Sequence, residues 1–249
     1  MRLADSARQG NPDEGFRLTV DAQARLEGAS ETLKGIIRQK LTIANPKYVA
    51  ARRYSRWIGK KLKPKLYFFH DWNNGLFFPR GFVNQAIGIS RQVTGSAPEI
   101  IDNRRRLPEI DAAFHGDLRD YQHQAVEAVT SHSFGVLEAG TGSGKTIMAL
   151  SIIARRRQPT LVLVHNKELL HQWRERIGEF LQYDAGQLGD GRFTLQPVTV
   201  AIVNTARKHL DSLPQQFGHL IVDECHRVPA SLFTDVVSSF DSYFMLGLS

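Results

Sequence analysis

One short segment constrains the fold of this chain more than any other. Residues 139–146 read Ala-Gly-Thr-Gly-Ser-Gly-Lys-Thr; an apolar run at 134–138 predicts a strand before them, and a helical pattern over 145–155 follows. Three glycines let the backbone curl tightly and remove Cβ atoms that would block a bound anion. A glycine-rich loop between a strand and a helix predicts an α/β domain that binds phosphate at the helix N-terminus.

A second motif adds two adjacent carboxylates. Residues 220–226 read Leu-Ile-Val-Asp-Glu-Cys-His, which predicts a buried strand that ends in an acidic pair. Parallel sheets present ligand sites at the carboxyl ends of their strands. Neighbours on an extended chain point to opposite sides, so we predict that Asp223 holds Mg²⁺ and Glu224 activates a water. The alternative is a solvated acidic pair.

Together the two motifs predict a site that binds Mg-ATP and hydrolyses it. Lys145 supplies an ammonium group for the β- and γ-phosphates, and the Thr146 hydroxyl is a ligand for Mg²⁺. The predicted catalytic set is Lys145, Asp223, Glu224 and His226. The other loop residues predicted to contact the nucleotide are Ala139, Gly140, Thr141, Gly142, Ser143 and Gly144.

The second half of the chain alternates between short apolar runs and helical patterns, which indicates a parallel sheet flanked by helices. Strands are predicted at 134–138, 160–165, 198–203, 219–222 and 243–248. Helices are predicted at 145–155, 167–181 and 230–238. We expect this P-loop NTPase domain to occupy residues 112–249.

The first half of the chain is strongly basic. The net charge of +7 arises there, and residues 32–70 contain 11 Lys or Arg and no Asp or Glu. Such a one-sided positive field attracts polyanions. The single cysteine, Cys225, and the lack of an apolar targeting segment predict a cytoplasmic protein without a membrane span.

We expect a mobile segment at 1–30 and a small basic α+β domain at 31–111. Within that domain the patterns predict a strand at 35–43 and a helix that begins at Asn45-Pro46 and continues to about Ile58. Strands at 65–70 and 76–78 are predicted to be joined by a turn at 73–75. Residues 96–111 are interpreted as a linker or sheet-edge segment.

The motifs at 139–146 and 223–226 resemble those of the first RecA-like domain of superfamily 2 helicases. Residues 118–122, Leu-Arg-Asp-Tyr-Gln, resemble the segment before the phosphate loop in XPB-like and related helicases. The resemblance implies that Gln122 reads the adenine edge, and we place Arg119 in the same nucleotide site. It covers residues 115–249 and implies a RecA-like fold.

Further motifs extend the resemblance. Residues 161–173 resemble the helicase motif that contacts the backbone of a nucleic-acid strand, although His165 and Asn166 replace its usual Pro-Thr pair. Residues 246–249 resemble the start of the Ser-Ala-Thr motif, which couples hydrolysis to movement. The implied nucleic-acid contacts in this half are Asn166, Lys167, Asn204 and Thr205.

The basic and aromatic residues at 52–67 predict a second nucleic-acid surface, since cations neutralise phosphates and flat rings stack on bases. Its predicted contacts are Arg52, Arg53, Lys60 and Lys61. For the aromatic rings themselves we favour a place in the core, and the alternative for the basic side chains is a solvated face.

The resemblance implies that hydrolysis needs a second RecA-like domain, whose arginine finger is worth about 10³–10⁵ in rate in such enzymes. We therefore expect this polypeptide to be part of a longer helicase that acts on DNA rather than RNA, and to hydrolyse ATP poorly alone. Two other functions stay open: the motor subunit of a restriction–modification or phage-defence system, and a DNA-binding module that does not hydrolyse ATP. A small-molecule kinase is disfavoured because no acceptor-binding lid is visible.

Overall fold

The computed structural model describes residues 15–55, 57, 62–73, 75–226 and 235–249. The chain divides into two compact units, Met1–Asn103 and Arg104–Ser249. The predicted boundary at 111/112 is wrong, because Ile110 is buried in the core of the second unit and its backbone N–H donates to the carbonyl of Arg157.

The first unit combines helices with two sheets. Its elements are β1 (Arg17–Val20), β2 (Ala24–Glu27), α1 (Glu31–Lys40), β3 (Thr42–Ala44), α2 (Pro46–Arg53), β4 (Lys65–Tyr67), β5 (His70–Trp72), β6 (Gly75–Phe78), α3 (Val83–Thr94) and β7 (Glu99–Asp102). Five strands form a sheet in the order β5-β6-β2-β1-β7, and β3 pairs with β4 in a separate two-stranded sheet. The sheet at the centre of this unit is mainly antiparallel, with β1 and β7 parallel.

Two predictions for this unit are wrong. Residues 15–30 are not a mobile segment in the part that the structure describes, because β1 and β2 bury Leu18 and Leu26 in the core of the unit. The predicted strand at 35–43 is largely α1, in which Leu33 and Ile37 lie one helical turn apart and are both buried. The helical spacing of Leu33 and Ile37 favours a helix more strongly than the adjacent β-branched residues Ile36 and Ile37 favour a strand.

Other predictions for this unit are confirmed. Asn45 caps α2 with Pro46 at its first position, although the helix ends at Arg53 rather than near Ile58, which lies outside the described residues. Around the turn predicted at 73–75, Trp72 at the end of β5 pairs with Gly75 at the start of β6, and Asn73 has a positive φ of 44°, while Asn74 lies outside the described residues. The run at 65–70 is divided between two sheets, because β4 pairs with β3 while His70 belongs to β5.

The second unit has the predicted α/β architecture. Its elements are α4 (Asp120–Thr130), β8 (Phe134–Leu137), α5 (Lys145–Arg156), β9 (Thr160–Val164), α6 (Lys167–Leu181), β10 (Gly186–Gly189), β11 (Arg192–Thr194), β12 (Val198–Ile202), α7 (Val203–Ala206), β13 (His219–Val222) and β14 (Phe244–Leu248). The sheet has the strand order β11-β10-β12-β9-β13-β14-β8, and only the β10–β11 pair is antiparallel. The sequence did not reveal the β10–β11 hairpin, and most of the helix predicted at 230–238 lies outside the described residues.

The central strand β9 shows why this sheet forms. Leu161 and Leu163 pack into one buried apolar cluster, and Val162 and Val164 pack into another on the opposite face. A strand covered on both faces reads as a continuous apolar run, which is how it was recognised. In the described part of the chain, every helix is too short or too polar to cross a lipid bilayer.

Candidate functional site

Strand register brings the two predicted ATP motifs to one edge of the sheet. Leu137 of β8 pairs with Leu248 of β14, and Gly247 pairs with Val222 of β13. Asp223 therefore lies level with Leu137, two strands away. Neighbouring strands are about 4.8 Å apart, so the two backbones are about 10 Å apart where the phosphate loop begins.

The phosphate loop depends on a glycine at the start of α5. Gly144 has a φ of +82°, a conformation that residues with a Cβ rarely adopt. A Cβ at this position would also collide with the side-chain nitrogen of Gln122. Both observations explain why glycine stands before Lys145.

Gln122 and Tyr121 brace the loop from α4. The Gln122 amide nitrogen and the Tyr121 hydroxyl each donate to the carbonyl of Ser143 over 2.9 Å. The Gln122 side-chain oxygen accepts from the backbone N–H of Arg119, also over 2.9 Å. Sequence reasoning predicted Gln122 and Arg119 as nucleotide contacts and missed this bracing; contact with adenine stays a prediction.

Two polar groups of the loop suit a bound phosphate. The Lys145 ammonium donates to the carbonyl of Ala139 over 2.7 Å and to that of Gly140 over 3.4 Å. The Ser143 hydroxyl is buried and has no hydrogen-bond partner among the residues that the structure describes. Leaving a buried polar group unpaired costs about 1–3 kcal/mol.

Asp223 is held by two hydrogen bonds at the end of β13. Its Oδ2 accepts from the indole N–H of Trp173 over 2.8 Å, and its Oδ1 accepts from the backbone N–H of Glu224 over 2.9 Å. Only 7% of Asp223 is exposed. The carboxylate is therefore oriented before any ligand arrives.

Glu224 departs from the extended conformation assumed for the acidic pair. Its φ is +49°, which costs a non-glycine residue about 1–3 kcal/mol. Its carboxylate lies 3.3 Å from Nε2 of His226. The prediction that the two carboxylates lie on opposite sides of an extended strand is wrong, because the chain turns at Glu224.

His226 links the acidic motif to the last strand. Its Nδ1 lies 3.0 Å from the Ser249 hydroxyl. The Ser249 backbone bonds to the start of the phosphate loop, donating to the carbonyl of Leu137 and accepting from the N–H of Ala139. Residue 249 thus contacts both ATP motifs.

The oxygen donors available at this edge suit Mg²⁺. Thr146, in the first turn of α5, offers a hydroxyl, and Asp223 offers a carboxylate. Magnesium is usually held by one or two protein oxygens together with waters and substrate phosphates. No cluster of three or more His, Cys, Asp or Glu suitable for a metal occurs in the described ranges.

Cys225 has no place in this chemistry. Its backbone N–H donates to the carbonyl of Leu248, and its side chain packs against a buried apolar cluster. Burial raises the pKa of its thiol, which keeps it protonated and unreactive.

The predicted strand-contacting residues lie farther along the same edge. Asn166 follows β9 and caps α6, because its Oδ1 accepts from the N–H of Leu169 over 2.9 Å. Lys167 is the first residue of α6, and Asn204 and Thr205 lie in α7, directly after β12. Since β9 and β12 are parallel neighbours, these two groups lie side by side.

The predicted basic surface of the first unit falls in a segment that we call the basic arm, residues 42–67, most of whose described residues are exposed. Asn45 fixes its base: its side-chain nitrogen donates to the carbonyl of Lys63, and its backbone N–H donates to that of Pro64. Helix α2 buries no residue. Its last turn presents Arg52 and Arg53 to solvent.

The other predicted contacts of the arm, Lys60 and Lys61, lie outside the described residues. Trp57 is 89% exposed, and Tyr54 and Tyr67 are also exposed. The prediction that these aromatic rings lie in the core is therefore wrong for these three residues. Exposed rings beside cations are the combination that binds unpaired bases.

Known proteins with similar sequences agree with the motifs. Residues 115–249 match the family described as type III restriction enzyme, res subunit. The chain is 36% identical over 133 residues to a DNA 3'-5' translocase XPB2 of Sulfurisphaera tokodaii, a match covering 53% of this chain and 30% of that relative. It is 33% identical over 136 residues to a DNA 3'-5' helicase XPB of Kineococcus radiotolerans, covering 50% of this chain and 24% of the relative. The chain thus spans less than a third of either relative.

A solved structure has the same fold over most of the chain. The crystal structure of the UvsW helicase from bacteriophage T4 superposes with a TM-score of 0.69 at 18% identity. The likeness covers 94% of this chain and 92% of that one, so it includes residues of both units.

Proposed function

Because this chain belongs to the superfamily 2 helicase family matched by its residues 115–249, we propose that its second unit binds Mg-ATP as part of a motor that moves on DNA. The observation that supports this most is the register that places Asp223 level with the start of the phosphate loop. Two motifs about 80 residues apart in sequence thereby meet at one edge of the sheet, at the carboxyl ends of its strands, where sheets of this class bind ligands.

The loop residues hold the nucleotide in this proposal. Backbone N–H groups of the loop and the N-terminus of α5 face the phosphates. Lys145 exchanges the carbonyl of Ala139 for phosphate oxygens, and the Ser143 hydroxyl gains its missing partner. Thr146 and Asp223 would hold magnesium, which would supply positive charge to neutralise the phosphates.

Glu224 and His226 act on the attacking water in this proposal. Glu224 orients the attacking water and accepts its proton. His226 contacts both Glu224 and Ser249. It therefore connects the carboxylate that acts on the water to the residue that follows β14. A second RecA-like domain would supply the missing arginine.

DNA is the proposed track. Asn166, Lys167, Asn204 and Thr205 would contact the backbone of one strand along the sheet edge. The basic arm, with Arg52, Arg53, Lys60 and Lys61, would bind phosphates and stack on bases. Both named relatives are described as acting on DNA, which favours DNA over RNA. A cytoplasmic location stays a prediction.

The substitution Glu224→Gln in the longest natural form of the protein tests the motor. We expect the variant to bind ATP and DNA as tightly as the unchanged protein, because the phosphate loop and Asp223 remain. DNA-stimulated hydrolysis and movement along DNA, measured by displacement of a fluorescent strand, should both be lost. Hydrolysis at the unchanged rate would contradict the assigned role of Glu224, and movement without hydrolysis would exclude the motor.

One observation favours a more specific second candidate. The matching family is described by the res subunit of a type III restriction enzyme, so the motor could serve a restriction system. That candidate predicts DNA cleavage by a complex with a methylating partner, and purification of the natural complex followed by a cleavage assay would separate it from a helicase.

A further inference from the structure

Trp173 occupies a position that the sequence motif alone does not explain. It is the last residue of the run that resembles a nucleic-acid-contacting motif, yet it is only 1% exposed. A side chain so deeply buried cannot touch a nucleic-acid strand. Its indole N–H is instead 2.8 Å from Oδ2 of Asp223.

The surroundings of Trp173 hold its ring in place. It lies in α6 and packs in the apolar cluster on one face of the sheet, together with Leu170 and Ile177 of the same helix. The ring therefore has a single orientation, with its only polar atom facing the end of β13. An indole N–H is a donor only, and a buried one normally finds an acceptor.

The two hydrogen bonds of Asp223 fix its carboxylate plane. Trp173 donates to one oxygen, and the backbone N–H of Glu224 donates to the other. Rotation of the carboxylate about its last torsion would break both bonds. Each oxygen keeps further lone pairs that can bind a metal ion.

We propose that Trp173 is a positioning residue that holds the Asp223 carboxylate in the orientation needed to bind Mg²⁺. The inference rests on the proposed function, since it takes Asp223 as the magnesium ligand. Partners that orient metal ligands commonly affect metal affinity by about 10- to 100-fold. Trp173 thereby connects the core of the second unit to the metal site.

The substitution Trp173→Phe removes the N–H and retains an aromatic ring. Binding of a fluorescent ATP analogue to the 249-residue chain would be measured while Mg²⁺ is titrated. We expect the Mg²⁺ concentration at half-maximal binding to rise about 10-fold. Nucleotide binding in EDTA should not change, because the phosphate loop is untouched.

A matched control separates positioning from packing. Ile177→Val lies on the same buried face of α6 and involves no polar atom. It should lower thermal stability without shifting the Mg²⁺ titration. Replacement of Trp173 by benzothienylalanine retains the two-ring shape and lacks the N–H, so it gives the same test if Trp173→Phe folds poorly.

Asp223→Ala distinguishes failure of this inference from failure of the proposed function. In that background Trp173→Phe should cause no further change in Mg²⁺ dependence. A normal Mg²⁺ titration in both Trp173 variants would overturn this inference alone. If the unchanged chain binds nucleotide independently of Mg²⁺, or if Asp223→Ala has no effect, the assignment of Asp223 falls and the inference falls with it.

Discussion

The phosphate loop and the basic arm are both proposed to bind phosphate groups, but they are constructed in opposite ways. The loop is held by hydrogen bonds from Tyr121 and Gln122. The Asp223 carboxylate, at the same edge of the sheet, is held by a hydrogen bond from Trp173. The arm has a helix that buries no residue, and those of its cations that the structure describes are exposed to solvent.

This difference shows that rigidity and charge are separate means of recognising phosphate. A loop of fixed N–H groups suits one ligand in one orientation, as chemistry on a triphosphate requires. Exposed cations suit a long polyanion at many positions, as movement along DNA requires. The loop should therefore respond sharply to single substitutions, and the arm should respond gradually.

The largest effect is expected for Lys145→Ala. Removing a fixed cation from the loop should lower hydrolysis by about 10²–10³-fold in the longest natural form of the protein. DNA-stimulated phosphate release measures this, with Lys208→Ala as a control at an exposed lysine of the same unit. A decrease in the hydrolysis rate of less than about 10-fold would mean that the loop is no more sensitive to a single substitution than the arm.

Gly144→Ala tests whether backbone shape matters as much as charge. The positive φ and the collision with Gln122 should cost about 1–3 kcal/mol. If the substitution destabilises the nucleotide-binding conformation of the loop by this amount, nucleotide binds roughly 10- to 100-fold more weakly, and isothermal titration calorimetry measures the change. Gly135→Ala is the control, since its added Cβ meets nothing within 4 Å; equal effects of the two would refute the argument from shape.

A smaller and graded effect is expected in the arm. The double variant Arg52→Ala/Arg53→Ala should weaken duplex binding at low salt and reduce the slope of log K against log salt by about 0.9 for each lost phosphate contact. Fluorescence anisotropy at several salt concentrations measures the slope. Arg91→Ala, an exposed arginine of the same unit, should leave it unchanged. An unchanged slope in the double variant would place the DNA elsewhere.

The smallest effect concerns acid stability of the second unit. Burial, together with the Arg156 charge 2.8 Å away, lowers the pKa of His219 well below 6.5. The unfolded chain therefore binds a proton below about pH 6.5 that the folded chain does not, so the free energy of unfolding decreases as the pH falls. The slope approaches about 1.4 kcal/mol per pH unit for one group.

Denaturant unfolding of the unchanged chain and of His219→Gln between pH 7 and pH 5 checks this prediction. The variant should lose part of the acid sensitivity, because its amide oxygen can accept from Arg156 without titrating. His115→Gln, a substitution at an exposed histidine of the same unit, should keep the acid sensitivity of the unchanged chain. Equal slopes in all three proteins would show that His219 does not contribute.

The same contrast explains what could be predicted from the sequence. In the second unit β9, α5 and β13 were predicted within one or two residues at their ends, because strands buried on both faces and a glycine-rich loop have strong local patterns. In the first unit β1 and β2 were missed. Each has four residues, and whether they are buried depends on strands distant in the sequence.

The candidate site was predictable in its residue types but not in its supports. Gln122 and Trp173 were both recognised through family motifs: Gln122 was predicted to read adenine, and Trp173 is the last residue of a run that resembles a nucleic-acid-contacting motif. Their hydrogen bonds to Ser143 and Asp223 depend on how α4 and α6 pack against the sheet. No spacing along the chain encodes that packing.

Strand order has a consequence for the making of this protein. β8, which carries the phosphate loop, pairs within the described residues only with β14, and β14 is the last of the described strands of this sheet to be synthesised. Pairings between distant segments form slowly because a long loop must close first. While the ribosome is still adding residues 138–243, the nucleotide-binding segment has no neighbouring strand to join. A nascent chain should therefore acquire nucleotide affinity abruptly, when residues 244–248 become free to pair.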